Sequence, residues 1–276
     1  MSDYANAIRS AAQTIRDDCS LNPSTAIVLG TGLSGVWLEL ESRAHQSQAI
    51  NYSDIACLPR PTAPGHEGRL AILQMADSDI VVCSGRPHLY EGYSALEVAA
   101  LVYLLHELGV QRLTITNASG SLDPQFAAGD VMLIEDHINL TGHNPVIGQD
   151  ESFGVLFPDM SQAYDRKARA AAIAAAEREG IDLQRGIYAG VLGPSLETSA
   201  ERRMLRTMGA SCVGMSTVTE VIAANHCGMD VLGLSAISNT ALGDANQQPD
   251  TIENVMRYAA IAGKKIEKLI LAMLQP

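Results

Sequence analysis

A single α/β domain, with a central mixed, mostly parallel β-sheet flanked by helices on both faces, is the fold this sequence predicts. Three observations carry it. Short runs rich in Val, Ile and Leu recur without polar alternation, as strands covered on both faces do. Helical segments alternate with these runs, and most of them stop at a glycine. No internal repeat, low-complexity tract or Pro/Ser-rich linker divides the 276 residues, a length that can bury a substantial core.

The elements follow in order. A helix over 4–17 opens the chain, and the strand Ala26–Leu29 runs straight into a glycine loop, VLGTGLSG over 28–35. Strands follow at Leu70–Leu73 and Ile80–Cys83, then a strongly apolar helix, Ala95–Leu108, that ends at Gly109. Leu113–Thr116 and Val131–Ile134 read as strands. Tyr164–Glu179, containing ARAAAIAAAERE, reads as a helix before Gly180. The strand Gly186–Leu192, the helices Thr198–Met208 and Thr217–His226, the strand Val231–Ile237 and a last helix over Thr251–Leu274 complete the alternation. Three long polar connections, Cys57–Gly68, Thr141–Asp159 and Ala241–Asp250, are expected to rim a pocket, because long irregular loops in a compact domain tend to be functional.

Composition narrows the function. A formal charge of −12 and a pI near 4.9 argue against nucleic acid or an anionic membrane surface as partner. Any anion site must therefore be local. No run approaches the ~18–20 apolar residues of a membrane span, and the first residues lack a basic stretch followed by an apolar one, so a cytoplasmic protein is expected. The five cysteines include no C-x-x-C pair, and no metal site is expected.

Gly30, Gly32 and Gly35 match the G-x-G-x-x-G pattern that cradles a dinucleotide pyrophosphate. That reading requires a second strand with an acidic residue about 20 positions on. Asp54 stands near that distance, but the segment runs into Pro59, Pro61 and Pro64, which cannot continue a central strand. A dinucleotide-binding oxidoreductase is thus a remote alternative. The loop remains either a plain tight turn or a backbone-lined anion site to which Thr31 adds a hydroxyl.

Further segments cluster polar groups after strands. GRPHLYEGY (85–93) places Arg86, His88, Tyr90 and Glu91 beyond a strand ending near Ser84, where open α/β sheets hold their ligands. Arg86 offers a fork of donors suited to phosphate oxygens. PGHEGRL (64–70) supplies His66; TNASGSL (116–122) reads as a small-residue loop carrying Asn117, Ala118, Ser119, Gly120 and Ser121. GPSLETSAE (193–201) sets Glu197 just before a helix, where a carboxylate also suits the helix dipole. VGMSTVTEV (213–221) presents Met215 and Ser216 at a strand-to-helix junction. SAISNT (235–240) presents Asn239 at the end of another strand, where its neutral amide can bond a heterocycle. Each residue alone has an ordinary structural reading; their clustering after strands singles them out.

In this order, together with GDVMLIEDHINL (129–140), the motifs closely resemble the trimeric class of purine nucleoside phosphorylases, from about residue 25 to 240 and more weakly through the last helix. The resemblance implies attack of inorganic phosphate on the anomeric carbon of a purine nucleoside, releasing free base and ribose 1-phosphate. Phosphate is then a co-substrate, and no cofactor is expected. Thr31, His66, Arg86, His88, the backbone at Ala118 and Ser216 would hold it. Tyr90 and Met215 would bracket the ribose, with Tyr188 near sugar and base and Ser119 and Gly120 beside the base. Glu197 would meet the N1–H edge and Asn239 would meet O6 and N7, making His88, Glu197 and Asn239 the catalytic set. Members preferring 6-aminopurines carry aspartate at the Asn239 position, so hypoxanthine and guanine nucleosides are favoured. Phe153 matches an aromatic residue that a neighbouring subunit contributes, which implies a homotrimer with shared sites.

The sequence departs from the family pattern in places. Leu196 replaces an aromatic residue that would stack on the base, and Thr31 stands where many relatives have serine. Ser119 and Ser121 replace smaller residues. Ile252 aligns with a histidine that binds the ribose 5′-hydroxyl. Either another residue of ALGDANQQPD takes that role, or the pocket admits a 5′-deoxy-5′-thio substituent, as in methylthioinosine phosphorylases. Xanthosine phosphorylases are a further neighbour, with Ser119, Ser121 or Asn246 relieving the mismatch at the second purine carbonyl.

Overall fold

The computed structural model describes residues 3–245, 247 and 249–274, so Asn246 lies outside the described residues. α1 (Asp3–Asp18) leads into β1 (Thr25–Leu29), and α2 (Ser34–Arg43) follows the glycine loop. β2 (Gln46–Asn51), β3 (Arg69–Gln74) and β4 (Asp79–Ser84) form an antiparallel meander that ends beside β1. α3 (Ala95–Glu107) precedes β5 (Arg112–Ser121) and β6 (Val131–Asn139). The chain continues through α4 (Arg166–Glu179), β7 (Leu183–Gly190), α5 (Ser199–Thr207), β8 (Cys212–Gly214), α6 (Val218–His226), β9 (Asp230–Thr240) and α7 (Ile252–Leu274).

The strands join in one mixed sheet in the order β2-β3-β4-β1-β5-β8-β7-β6-β9. β9 also pairs with β5, so β5, β8, β7, β6 and β9 close into a ring. The sequence predicts a flanked sheet and says nothing of this closure. Along β1 the side chains alternate between two cores: Ala26 and Val28 face α1, α3 and α6, whereas Ile27 and Leu29 face α2, α4 and α7. That two-sided burial explains the runs without polar alternation. Ser94 and Thr198 cap α3 and α5 in reciprocal capping boxes with Glu97 and Glu201. Among the described residues no helix is long and apolar enough to cross a membrane.

One difference from expectation bears on function. TNASGS is the end of β5 rather than a loop, whereas SAISNT ends β9 as expected. Their polar side chains are buried because they satisfy one another: Ser235 Oγ donates to Asn117 Oδ1 at 2.6 Å and lies 2.6 Å from Ser119 Oγ. β2 escapes periodicity because QSQAIN is a largely exposed edge strand with too few apolar residues to show an alternation.

Candidate active site

β4, β1, β5 and β9 lie side by side and parallel, so their carboxyl ends converge on one edge of the sheet. A cavity of about 380 Å³ opens there, within the range of small-molecule sites. It is lined by Thr31, His66, Arg86, His88, Tyr90, Ala118, Ser119, Gly120, Leu196, Glu197, Met215, Ser216, Asn239 and Ile252, among others. A wider cleft of about 550 Å³ at the amino-terminal strand ends, lined by Thr25, Arg112 and Asp230, brings together none of the motif residues.

One end of the cavity is cationic and sunk into the sheet. Arg86 is only 1% exposed. Its Nη2 donates to the Thr116 carbonyl and lies 3.5 Å from Ser216 Oγ. Its Nη1 faces Glu220 Oε1 at 3.5 Å, an ion pair without hydrogen-bond geometry, and neither Nε nor Nη1 has a hydrogen-bond partner among the described residues. Buried donors without partners are rare and costly, and in a cavity wall they mark where an anion's oxygens fit. Gly30 makes the approach possible: a Cβ there would lie 2.8 Å from the Thr116 carbonyl oxygen and 3.1 Å from Arg86 Nη2. Burial pushes the Glu220 carboxyl up, against the pull of Arg86.

Two histidines flank the guanidinium. His66 Nδ1 lies 3.0 Å from both the amide nitrogen and the carbonyl oxygen of Arg86, and its Nε2 lies 3.2 Å from Thr31 Oγ1. Burial, then Arg86, lowers the His66 pKa to about 4. His88 Nδ1 donates to Glu91 Oε1 at 2.6 Å, its ring stacked on Tyr90 at 4.7 Å. Burial lowers the His88 pKa too, with His66 and Arg86 acting in the same direction and Glu91 opposing them.

Ser216 is held by a strained turn. Thr217 has φ 74° and ψ −53°, and the Val218 N–H donates to the Ser216 carbonyl at 2.8 Å, a positive-φ γ-turn on a β-branched residue. Such strain persists only where the surroundings over-determine it. Asn117 Nδ2 donates to Thr217 Oγ1 at 2.9 Å, and the Thr217 N–H donates to Glu220 Oε2 at 2.8 Å. Glu220 thus holds the turn with one oxygen and faces Arg86 with the other.

The far end of the cavity is polar but not cationic. The β5–β9 register slips between Ser119 and Gly120, passing over Ser238, and this bulge turns Asn239 toward the cavity. Glu197 lies beside it, its pKa raised by burial and pulled back in part by Arg202, whose Nε is 3.9 Å from Oε2.

The sequence profile of the phosphorylase superfamily matches residues 24–275. Purine nucleoside phosphorylase 1 of Bacillus subtilis (strain 168) is 42% identical over 268 residues, which span 96% of this chain and 97% of that protein. The purine nucleoside phosphorylase of Rattus norvegicus is 42% identical over 271 residues, 96% of this chain and 92% of its own. The chain belongs to the purine nucleoside phosphorylase family of that superfamily. A crystal structure of a schistosoma purine nucleoside phosphorylase in complex with hypoxanthine superposes with a TM-score of 0.88 at 34% identity, covering 98% of this chain and 97% of that one.

Within this purine nucleoside phosphorylase fold the cavity brings together all the expected site residues but two. Tyr188 is fully buried behind the cavity beneath Gly214, and its hydroxyl accepts the Ser216 N–H at 3.3 Å. It supports Ser216 and does not line the cavity. Phe153 is 5% exposed, stacked on Tyr103 at 4.4 Å and edge-on to Tyr4 at 6.1 Å. A ring in its own subunit's core cannot also complete a neighbour's pocket; the exposed aromatic of that segment is Phe157, at 92%. Sequence reasoning missed Glu220, Thr217, Arg202 and Asp250 as parts of the site. Only Glu220 left a signal, the Thr217-x-x-Glu220 spacing of a capping box.

Proposed function

We propose that the protein catalyses the phosphorolysis of 6-oxopurine nucleosides such as inosine and guanosine. A phosphate oxygen forms a bond to C1′ while the C1′–N9 bond breaks. The electron pair of that bond passes to the purine, which takes up the proton that hydrogen phosphate gives up and leaves as the neutral free base, and ribose 1-phosphate remains. One observation carries the reading: a single cavity has a buried guanidinium with two unpartnered nitrogens at one end, and a carboxyl and an amide, Glu197 and Asn239, at the other.

Arg86, Ser216, Thr31, His66, His88 and the Ala118 backbone would orient the phosphate, a positioning and electrostatic role rather than a covalent one. Tyr90 and Met215 would flank the ribose. Glu197 would accept from N1–H, and Asn239 would bond O6 and N7 where charge gathers as the glycosidic bond breaks. Initial rates with inosine and guanosine, with and without phosphate, test this. Release of base and ribose 1-phosphate only when phosphate is present is expected; equal release without phosphate, or none at all, would refute it.

A second reading concerns the 5′ position. Ile252, 70% exposed, lines the cavity with Val255, Met256, Ala63 and Pro64, an apolar wall that favours a 5′-deoxy-5′-thio substituent over a 5′-hydroxyl. A panel of inosine, xanthosine, adenosine and 5′-methylthioinosine separates the two. A homotrimer with shared sites belongs to the same proposal. Exposed Ile147, Val155 and Phe157 on the connection over 141–159 support an interface there, and light scattering reads the mass.

A further inference from the structure

We propose that Asp250 is a positioning residue that sets purine specificity by fixing which way round the Asn239 amide is presented. The inference rests on the phosphorolysis reading above. Asp250 Oδ1 accepts from Asn239 Nδ2 at 2.8 Å, and Asn239 Oδ1 accepts from Ser238 Oγ at 2.8 Å. Turning the amide over would place its carbonyl oxygen 2.8 Å from a carboxylate, losing a charge-assisted bond and gaining a repulsion. The carboxylate itself cannot turn away. Its Oδ2 is held by Arg202 Nη2 at 2.8 Å, and the side chains of Arg202 and Asp250 are only 6% and 8% exposed.

The orientation matters because the two purine classes require opposite amide orders. A 6-oxopurine needs a donor at O6 and, as N7 becomes protonated, an acceptor beside it. A 6-aminopurine needs an acceptor at its amino group and a donor at N7. An amide free to flip serves either; an amide locked by a carboxylate serves one. Arg202 also reaches toward Glu197, 3.9 Å away, so the two side chains that meet the base are tied to one guanidinium. Discrimination against a misplaced donor arises because buried polar groups would be left unpaired.

Asp250→Asn tests the lock, since an amide at 250 can donate or accept and no longer prefers one orientation of Asn239. The expected result is a rise of at least tenfold in the adenosine-to-inosine ratio of kcat/KM, read below the melting temperature, which falls because the buried pair with Arg202 is broken. Loosening of the loop alone would lower both substrates together and leave the ratio in place. Arg202→Gln, which frees Asp250 Oδ2 while leaving the carboxylate, should move the ratio in the same direction by a smaller factor. Wild-type ratios in both variants would overturn the role of Asp250. Absence of phosphate-dependent inosine turnover in the wild type would instead overturn the reading on which it rests.

Discussion

Replacing Arg86 with glutamine should raise the KM for phosphate by two to four orders of magnitude. The magnitude follows from two buried nitrogens that make no hydrogen bond among the described residues: Nε, and Nη1, which faces Glu220 at 3.5 Å without hydrogen-bond geometry. Bonds to a charged partner contribute about 1.5–3 kcal/mol each, so losing two costs about 3–6 kcal/mol, a factor of about 10²–10⁴. The same change strands Glu220, which is 2% exposed and would lose its cationic neighbour. Breaking a buried ion pair costs about 3–5 kcal/mol, so R86Q alone should also melt early. The double variant R86Q/E220Q separates the two effects: it removes the stranded charge and keeps an acceptor for the Thr217 N–H. Its melting temperature should recover most of the loss while its phosphate KM should not. Initial rates of inosine phosphorolysis across a phosphate titration at constant ionic strength, beside thermal melts, give both quantities. A phosphate KM within threefold of wild type in the double variant would refute the placement of the anion at Arg86.

Three other outcomes are expected. His66 is held neutral, with a pKa of about 4 against about 6.5 in an unfolded chain, so the unfolded state binds more protons between those values. Stability is therefore intact above about pH 6.5 and is lost as pH falls toward 4, by about 3 kcal/mol from this residue; denaturant unfolding of His66→Asn should show a shallower loss, and an unchanged slope would contradict it. Phe153→Ala should cost about 3–5 kcal/mol of stability by opening a cavity against Tyr4 and Tyr103, whereas Phe157→Ala should leave the melt unmoved and act, if at all, on nucleoside KM; equal melts would refute the distinction. Glu197→Ala should abolish inosine turnover with little loss of stability, and a large drop in melting temperature would point instead to a structural role.

Most of the cavity-lining residues were legible because they sit just beyond, or at the end of, a strand whose apolar run is plain in the sequence; His66, ahead of β3, and Ile252, at the start of α7, do not. The residues that hold them were not. Asp250 and Arg202 are separated by 48 positions, and only the closure of β9 onto β5 brings the polar loop that follows β9 back over α5. Tyr188 and Phe153 went astray for a related reason. Their aromatic identity was visible, but whether a ring faces a cavity or a core depends on what lies behind it: Gly214 in one case and Tyr103 in the other. β5 was cut short because burial of Asn117 and Ser119 depends on a hydrogen-bond partner, Ser235, supplied from β9 more than a hundred residues away.

The glycine loop shows the same dependence on partners. Its spacing fits a dinucleotide fingerprint, in which the loop opens toward a pyrophosphate at the helix start. In this fold the loop is covered instead. A Cβ at Gly32, where φ is +80°, would lie 2.7 Å from Ala259 Cβ, and one at Gly263 would lie 2.8 Å from the Gly32 carbonyl oxygen. α7 therefore occupies the space where a pyrophosphate would rest, and Gly32 is glycine so that the helix can approach. Gly30 alone turns toward the cavity, under Arg86 and Thr116. The pattern thus resolves into two unrelated requirements, the approach of α7 at Gly32 and the approach of Thr116 and Arg86 at Gly30. In the proposed reaction the charge for a free phosphate would come from Arg86, just beyond β4, and not from the loop itself.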